Sequence, residues 1–380
     1  MANMNPIDPT AARLERELKH TRPLIGCRFD PSGRFLFASS EDDAIQRFDL
    51  LTGAKTTLAG HRSWVRGMTF VGNQVAGSGE LSAWQKRRDH LQAVAGFAGA
   101  TLLPPRPAPF TLISADYHGK LIWWQGDADV PKPLREVEAH KGWARAVAVS
   151  PDGKTVASCG NDNAVRIWSA DTGTPVRTFE GHASHVYNVA FHPDGTRLAS
   201  CDLKGVVKDW NLKTGAADRE LDAKVLWKYD TGFMADIGGA RAMRFSPDGS
   251  RLACAGITNV SNAFAGVGNP AAIVFDWNDG KPKVLKPKEN FQGTAWGFAF
   301  HPAGFSITGA GGSGGRVWFA KPDDTTTFHM LTPPTGVRDL DLAPDGERFA
   351  CAGANGTAYV YTFRPLPPDA APVKPTPKKK

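Results

Sequence analysis

The sequence predicts an all-β chain built from repeats of one four-strand antiparallel meander. Three observations carry the prediction. Turn signals recur about every ten residues, and no window holds apolar residues at a helical period. A turn of the form x-Pro-Asp-Gly, or a near variant, returns along the chain. A histidine stands eleven residues before the turn proline at His20, His140 and His182, and His61 holds the same place in a further copy.

The clearest copy covers residues 140–181. Residues 143–149 form an apolar, β-branched first strand. Ser150-Pro151-Asp152-Gly153 then turns the chain, Pro presetting φ and Gly accepting positive φ. Residues 155–159 are a second strand, 164–168 a third and Pro175–Phe179 a fourth, separated by Gly160-Asn161-Asp162-Asn163 and Asp171-Thr172-Gly173.

The same turn proline recurs at Pro31, Pro151, Pro193, Pro247, Pro302 and Pro344. The spacing is 42 residues from 151 to 193 and from 302 to 344, and 54 and 55 residues across the two intervening gaps. The 120 residues from 31 to 151 hide one more copy. Its first strand is expected at 64–70, its second at 111–115 and its third at 120–124, with an insertion over 71–109. Seven copies result; a degenerate eighth over 74–84 is the alternative.

The dipeptides Gly60-His61 and Gly181-His182, each followed by strand, turn and a strand ending in Trp, resemble the WD-repeat family. The resemblance covers about 14–363. It implies a seven-bladed β-propeller of four-stranded antiparallel blades. It also implies a buried His, Ser, Asp and Trp network, complete in this reading only in the third copy as His140, Ser158, Asp162 and Trp168. In the fourth copy Lys204 stands at the Asp position. The seventh copy ends after its third strand, while Arg13–Lys19 precedes the first as a spare strand. An open blade would leave an unpaired edge, so Arg13–Lys19 is expected to join the last blade and close the ring. The propeller domain is then 13–363, with disordered ends at 1–12 and 364–380.

Composition fits this class. The chain has 380 residues, 41% hydrophobic and 22% charged, with no apolar run long enough to span a bilayer. The first twelve residues lack a secretion-signal pattern, and the five cysteines read as buried thiols in first and second strands. A cytoplasmic, membrane-free protein is expected. The net charge is +7, of which the Pro/Lys-rich tail from Pro365 supplies +3, too mild a body charge to argue for nucleic acid.

Enzyme signatures are sparse. His182 and His185 lack a third ligand nearby, and the glycine run GAGGSGG at 309–315 lacks the Gly-Lys-Ser/Thr of a phosphate loop, fitting a hairpin instead. No metal or cofactor is expected. One register position does carry chemistry. Six residues before the turn proline stand Ile25, Arg145, Tyr187, Arg241, Trp296 and Arg338, with Arg66 in the hidden copy. By the resemblance these positions ring the channel mouth. Arg forks carboxylate or phosphate and stacks on aromatics, and Arg, Tyr and Trp dominate binding hot spots. The plainer alternative leaves each Arg solvated, or pairs it with an acid of a neighbouring blade such as Asp339 or Asp236. Two long loops, 222–239 and 257–270, are expected on the same face, anchored by Trp227, Tyr229, Phe233 and Phe264, and the insertion on the opposite face. The reading is a non-enzymatic scaffold that binds a peptide, a protein loop or an anionic ligand, an acidic partner being one option. The alternatives are an enzyme with a channel-mouth site, or a nucleic-acid-associated factor acting through the basic tail.

Overall fold

The computed structural model describes residues 7–72, 108–262, 266–321, 323 and 325–364. Phe264, most of the insertion (73–107) and the tail from 365 lie outside the described residues. The described residues form seven four-stranded antiparallel sheets and one separate two-stranded hairpin. Seven blades replace the eight-copy alternative.

The first strands are Leu24–Phe29, Val65–Gly72, Ala144–Val149, Val186–Phe191, Ala240–Phe245, Gly293–His301 and Val337–Leu342. Each contacts the first strands of the two flanking blades, and the seventh returns to the first, so these strands line the axis of a closed ring. The hidden copy is blade 2, with strands Val65–Gly72, Phe110–Asp116, Lys120–Gln125 and Pro133–Glu138. The ring closes through Arg13–Lys19, which pairs antiparallel with Thr357–Thr362, from Arg13 opposite Thr362 to Lys19 opposite Thr357. The disorder expected for 1–12 does not extend to Asp8–Ala12. The Asp8 side chain caps a single 3-10 turn over Pro9–Ala11, and Ala12 is buried against the last blades.

The core lies between blades rather than within any one. Phe37, Ile45 and Leu58 of blade 1 pack with Met68, Leu112 and Trp124 of blade 2. Six further clusters fill the other blade interfaces in the same way. A four-stranded blade has two apolar faces and cannot bury either alone, so stacking around the ring supplies the burial.

Among the described residues, both expected long loops are largely strand. Residues 227–238 form a hairpin, Trp227–Asp230 with Ala235–Gly238. Residues 257–262 extend the second strand of blade 5, Arg251–Asn262, against Val267–Asp276. Ile257 and Val260 bury against Ile237 of the neighbouring hairpin. The alternation in Ile257-Thr258-Asn259-Val260 reads too weakly as a strand alone, and the hairpin beside it supplies the missing apolar partner.

Candidate functional site

All seven register positions share one backbone device. In every blade the pairing of first and second strands skips one residue near the start of the first strand. The skipped residues are Ile25, Arg66, Arg145, Tyr187, Arg241, Trp296 and Arg338. A β-bulge breaks the ladder's strict alternation and re-aims the extra side chain. Repeated around the ring, it brings these side chains together at one end of the axis.

Arginine and aromatic side chains alternate there. The Arg145 guanidinium lies 4.2 Å from the ring centre of Trp143 and 4.2 Å from that of Tyr187. Arg241 follows, 5.2 Å from Tyr187 and 5.1 Å from Trp296. The Arg66 guanidinium, from blade 2, lies 5.5 Å from the ring centre of the same Trp296. Tyr117 stacks on Trp143 with centres 4.1 Å apart and planes 5° apart, and Trp64 lies 6.3 Å from Tyr117. Tyr117, Trp64 and Trp143 were missed by the register argument because they sit outside the bulge position. Exposed tryptophans at the heads of two first strands, both directly after the network histidine segment, were the available signal.

The four arginines do different work. Arg66 reaches across the axis and donates to the carbonyl oxygens of Ile25 at 2.7 Å, Arg338 at 3.2 Å and Arg241 at 3.5 Å. It therefore ties blade 2 to blades 1, 7 and 5. Arg145 donates from Nε to Asn161 Oδ1 at 2.8 Å. Arg338 is ion-paired with Glu41. Arg241 has a buried Nε with no hydrogen-bond partner. Burial pulls the Arg241 guanidinium below the ordinary range; Tyr187 opposes this, while Arg145 and Arg66 add to it. Among the described residues no carboxylate forms an ion pair with Arg66, Arg145 or Arg241.

The acids offered as ring partners are engaged elsewhere. Asp339 binds Arg28 at 2.6 Å and the backbone N–H of Cys27 at 3.1 Å, deeper in the channel. Asp236 accepts from the Trp227 indole at 2.9 Å and pairs with Lys204 at 3.4 Å. Below the ring, Arg244 sits in the channel wall, where burial, and then Arg28, pull its guanidinium down to about 10.

A groove of about 580 Å³ opens beside the mouth. Arg241, Trp296 and Arg338 border it on the axial side, Ile257 and Val260 of blade 5 on another, and the glycine run of blade 6 on a third. Trp227, Tyr229 and Phe233 do not line it. Trp227 is half-buried in its hairpin, and Tyr229 and Phe233 are exposed towards the hairpin tip. At the other end of the channel a wider cavity of about 850 Å³ is walled by Phe29, Phe70, Phe191, Phe245 and Phe300 and rimmed by the turn prolines. Gly72, where the insertion begins, lies beside Ser150–Gly153 at this end.

The buried network is more widespread than the motif implies. In blade 3, His140 contacts Asp162 at 2.8 Å and Ser158 at 2.8 Å, and Trp168 donates to Ser158 at 2.8 Å. Blade 2 has the equivalent set His61, Ser114, Asp116 and Trp124, and blade 4 has His182, Ser200, Asp202 and Trp210. The motif reading overlooked both because Asp116 and Asp202 follow the serine by two residues, whereas Asp162 follows Ser158 by four. Two backbone positions reach one histidine Nδ1, so the acid need not hold the expected place. His182 is thereby occupied, and His185 contacts Asn163 at 3.3 Å. Among the described residues no group of three or more His, Cys, Asp or Glu side chains is arranged to hold a metal ion. No described helix is long and apolar enough to cross a membrane.

The model for the WD domain, G-beta repeat, matches residues 13–49, 131–169, 173–210 and 325–362. Among curated proteins, the chain is 31% identical over 163 residues to the nuclear distribution protein PAC1 of Arthroderma benhamiae, covering 41% of this chain and 28% of that protein. It is 26% identical over 172 residues to the target of rapamycin complex subunit wat1 of Schizosaccharomyces pombe, covering 40% of this chain and 52% of that one. It is 27% identical over 158 residues to apoptotic protease-activating factor 1 of Rattus norvegicus, covering 12% of that protein. The chain thus spans about half or less of the length of these relatives. The repeat match and the seven closed blades make this chain a member of the WD-repeat family, a seven-bladed β-propeller.

Proposed function

We propose that the protein is an interaction scaffold whose partner, a protein segment carrying acidic residues, binds over the arginine and aromatic mouth. One observation carries this reading: Arg66, Arg145 and Arg241 are gathered at one opening without a carboxylate among the described residues to pair with them. Clustered guanidinium groups repel one another, and an incoming anion relieves that repulsion while forming charge-assisted hydrogen bonds. The stacked aromatics hold the guanidinium planes in place, so little side-chain entropy is lost on binding. A relative that is by name a subunit of a complex agrees with an assembly role.

The test is quantitative capture from an extract of the source cells with the full chain, beside an Arg145→Ala, Arg241→Ala, Arg338→Ala variant. Arg66 is left intact because of its structural bonds. Partners recovered by the wild type should be depleted in the variant at equal thermal stability. Equal recovery by both proteins contradicts the reading.

A further inference from the structure

The groove beside the mouth has a wall that packing alone does not explain. It is built from the glycine run of blade 6, where strands Phe305–Gly312 and Gly315–Ala320 meet. Three of these glycines are required by their neighbours. A Cβ on Gly311 would stand 2.6 Å from the Val337 carbonyl oxygen; one on Gly312 would strike Gln292 and one on Gly315 would strike Thr335. Gly314 is different. A Cβ there meets nothing within 4 Å, and its φ is outside the left-handed region that favours glycine. Any small residue fits the fold at this position. What glycine does at 314 is leave the groove open.

The other walls give the groove a polarity. Arg241 borders it, with its Nε buried and unpartnered. Arg338, Thr294 and Thr335 border it as well, and Trp296, Ile257 and Val260 supply flat and apolar surface. Its volume, about 580 Å³, lies within the range of roughly 300–1,000 Å³ common to ligand sites. A wall whose one side chain beyond glycine is the small Ser313 admits close approach of another backbone, and among the described residues the unpaired charge bordering the space, Arg241, is positive.

We propose that this groove holds an extended acidic peptide, one carboxylate seated on Arg241 and the peptide backbone running past Gly314. The inference rests on the mouth being the partner site and adds where on its rim the chain lies, between blades 5, 6 and 7. Charge complementarity selects an acidic ligand; the glycine wall selects a peptide over a compact anion. Arg241 contributes the fork to the carboxylate, and Trp296 holds that fork from beneath.

The experiment selects binders to the full-length wild-type protein from a displayed library of short random peptides. The selected peptides should be rich in Asp and Glu, and replacing the shared acid by Gln should weaken binding about tenfold or more. Arg241→Ala should lose a similar factor. Gly314→Leu, which fills the groove without touching the ring, should also lose about tenfold at unchanged melting temperature. Gly314→Ala controls for folding and should bind almost normally. Peptides without acidic preference, failure to select any peptide, or inorganic phosphate displacing the selected peptide as well as an unlabelled copy of it would each overturn the proposal. If Gly314→Leu binds normally while Arg145→Ala and Arg241→Ala do not, the groove is wrong and the mouth stands. If the arginine variants bind normally too, the mouth reading falls with it.

Discussion

Neighbouring arginines at the mouth are expected to answer unequally to substitution. Arg66→Ala removes bonds to the carbonyls of three other blades. Leaving part-buried acceptors without donors costs about 1–3 kcal/mol, so equilibrium denaturation should show a loss of about 2 kcal/mol. Arg241→Met removes a guanidinium that has no hydrogen bond at Nε and that burial already disfavours. Its stacking on Tyr187 and Trp296 is lost, but a buried like-charge contact is relieved, and stability should stay within about 1 kcal/mol of wild type. If Arg241→Met destabilises as much as Arg66→Ala, the division of roles between them is wrong. The networks give a pH prediction at the same scale. Burial holds His140 below its ordinary value against the pull of Asp162. A histidine whose folded pKa is depressed binds its proton more readily when unfolded, so the folded state loses stability as pH falls below about 6.5. Asp162 is also held below the usual carboxylate range: burial opposes this, but His140 and Arg166 outweigh it. Its contribution is present above about pH 4 and is lost on further acidification. Melting temperature should therefore decline from near neutrality downward, and His140→Gln should flatten the upper part of that decline.

Blades differ in how their third-strand tryptophan is satisfied. In blades 2, 3 and 4 the indole N–H of Trp124, Trp168 or Trp210 donates to a serine that also binds the histidine. In blade 6 the indole N–H of Trp318 and the hydroxyl of Thr308 are buried without partners, on directly paired residues. Blade 6 lacks the histidine at the entry to its first strand, where Phe291 is buried instead. Trp124→Phe should cost about 1–2 kcal/mol more than Trp318→Phe, because only the first breaks a hydrogen bond and orphans a network. Equal costs in chemical denaturation would contradict this account. The separate hairpin at 227–238 and the extended hairpin of blade 5 behave differently. Neither has enough apolar residues for independent stability, yet Ile237, Ile257 and Val260 form a small core between them.

Closure of the ring is the largest-scale consequence of a short segment. Arg13–Lys19 supplies the outer strand of the seventh blade, and Leu18 and Ala12 bury against its neighbours. Deleting residues 1–20 should expose Thr357–Thr362 as an unpaired edge and uncover the last blade interfaces, giving insoluble or oligomeric protein. Size-exclusion chromatography and a thermal melt decide it: a soluble monomer that melts cooperatively would show that the strand is dispensable. The channel itself is not a uniform bore. Arg66 crosses it at the mouth, the ion pair of Arg28 and Asp339 lies below, and a phenylalanine-walled cavity opens at the other end. The two ends therefore offer unlike chemistry on one rigid body.

The repeat period, the turn prolines, the hidden blade and the closing strand were all legible in the sequence, because each depends on local backbone chemistry that recurs in phase. The mouth positions could be counted from the turn proline for the same reason. What each mouth residue does could not, since bulge geometry and contacts across the axis join residues from blades far apart in the chain. Arg66 and Arg241 occupy equivalent places, yet one binds carbonyl groups and the other nothing at its Nε. The networks of blades 2 and 4 were hidden because a side chain can reach one histidine from two backbone positions. The hairpins looked like loops because their apolar residues find partners only in each other. Local periodicity determined the fold; only packing around the closed ring decided which of seven like positions carry free charge.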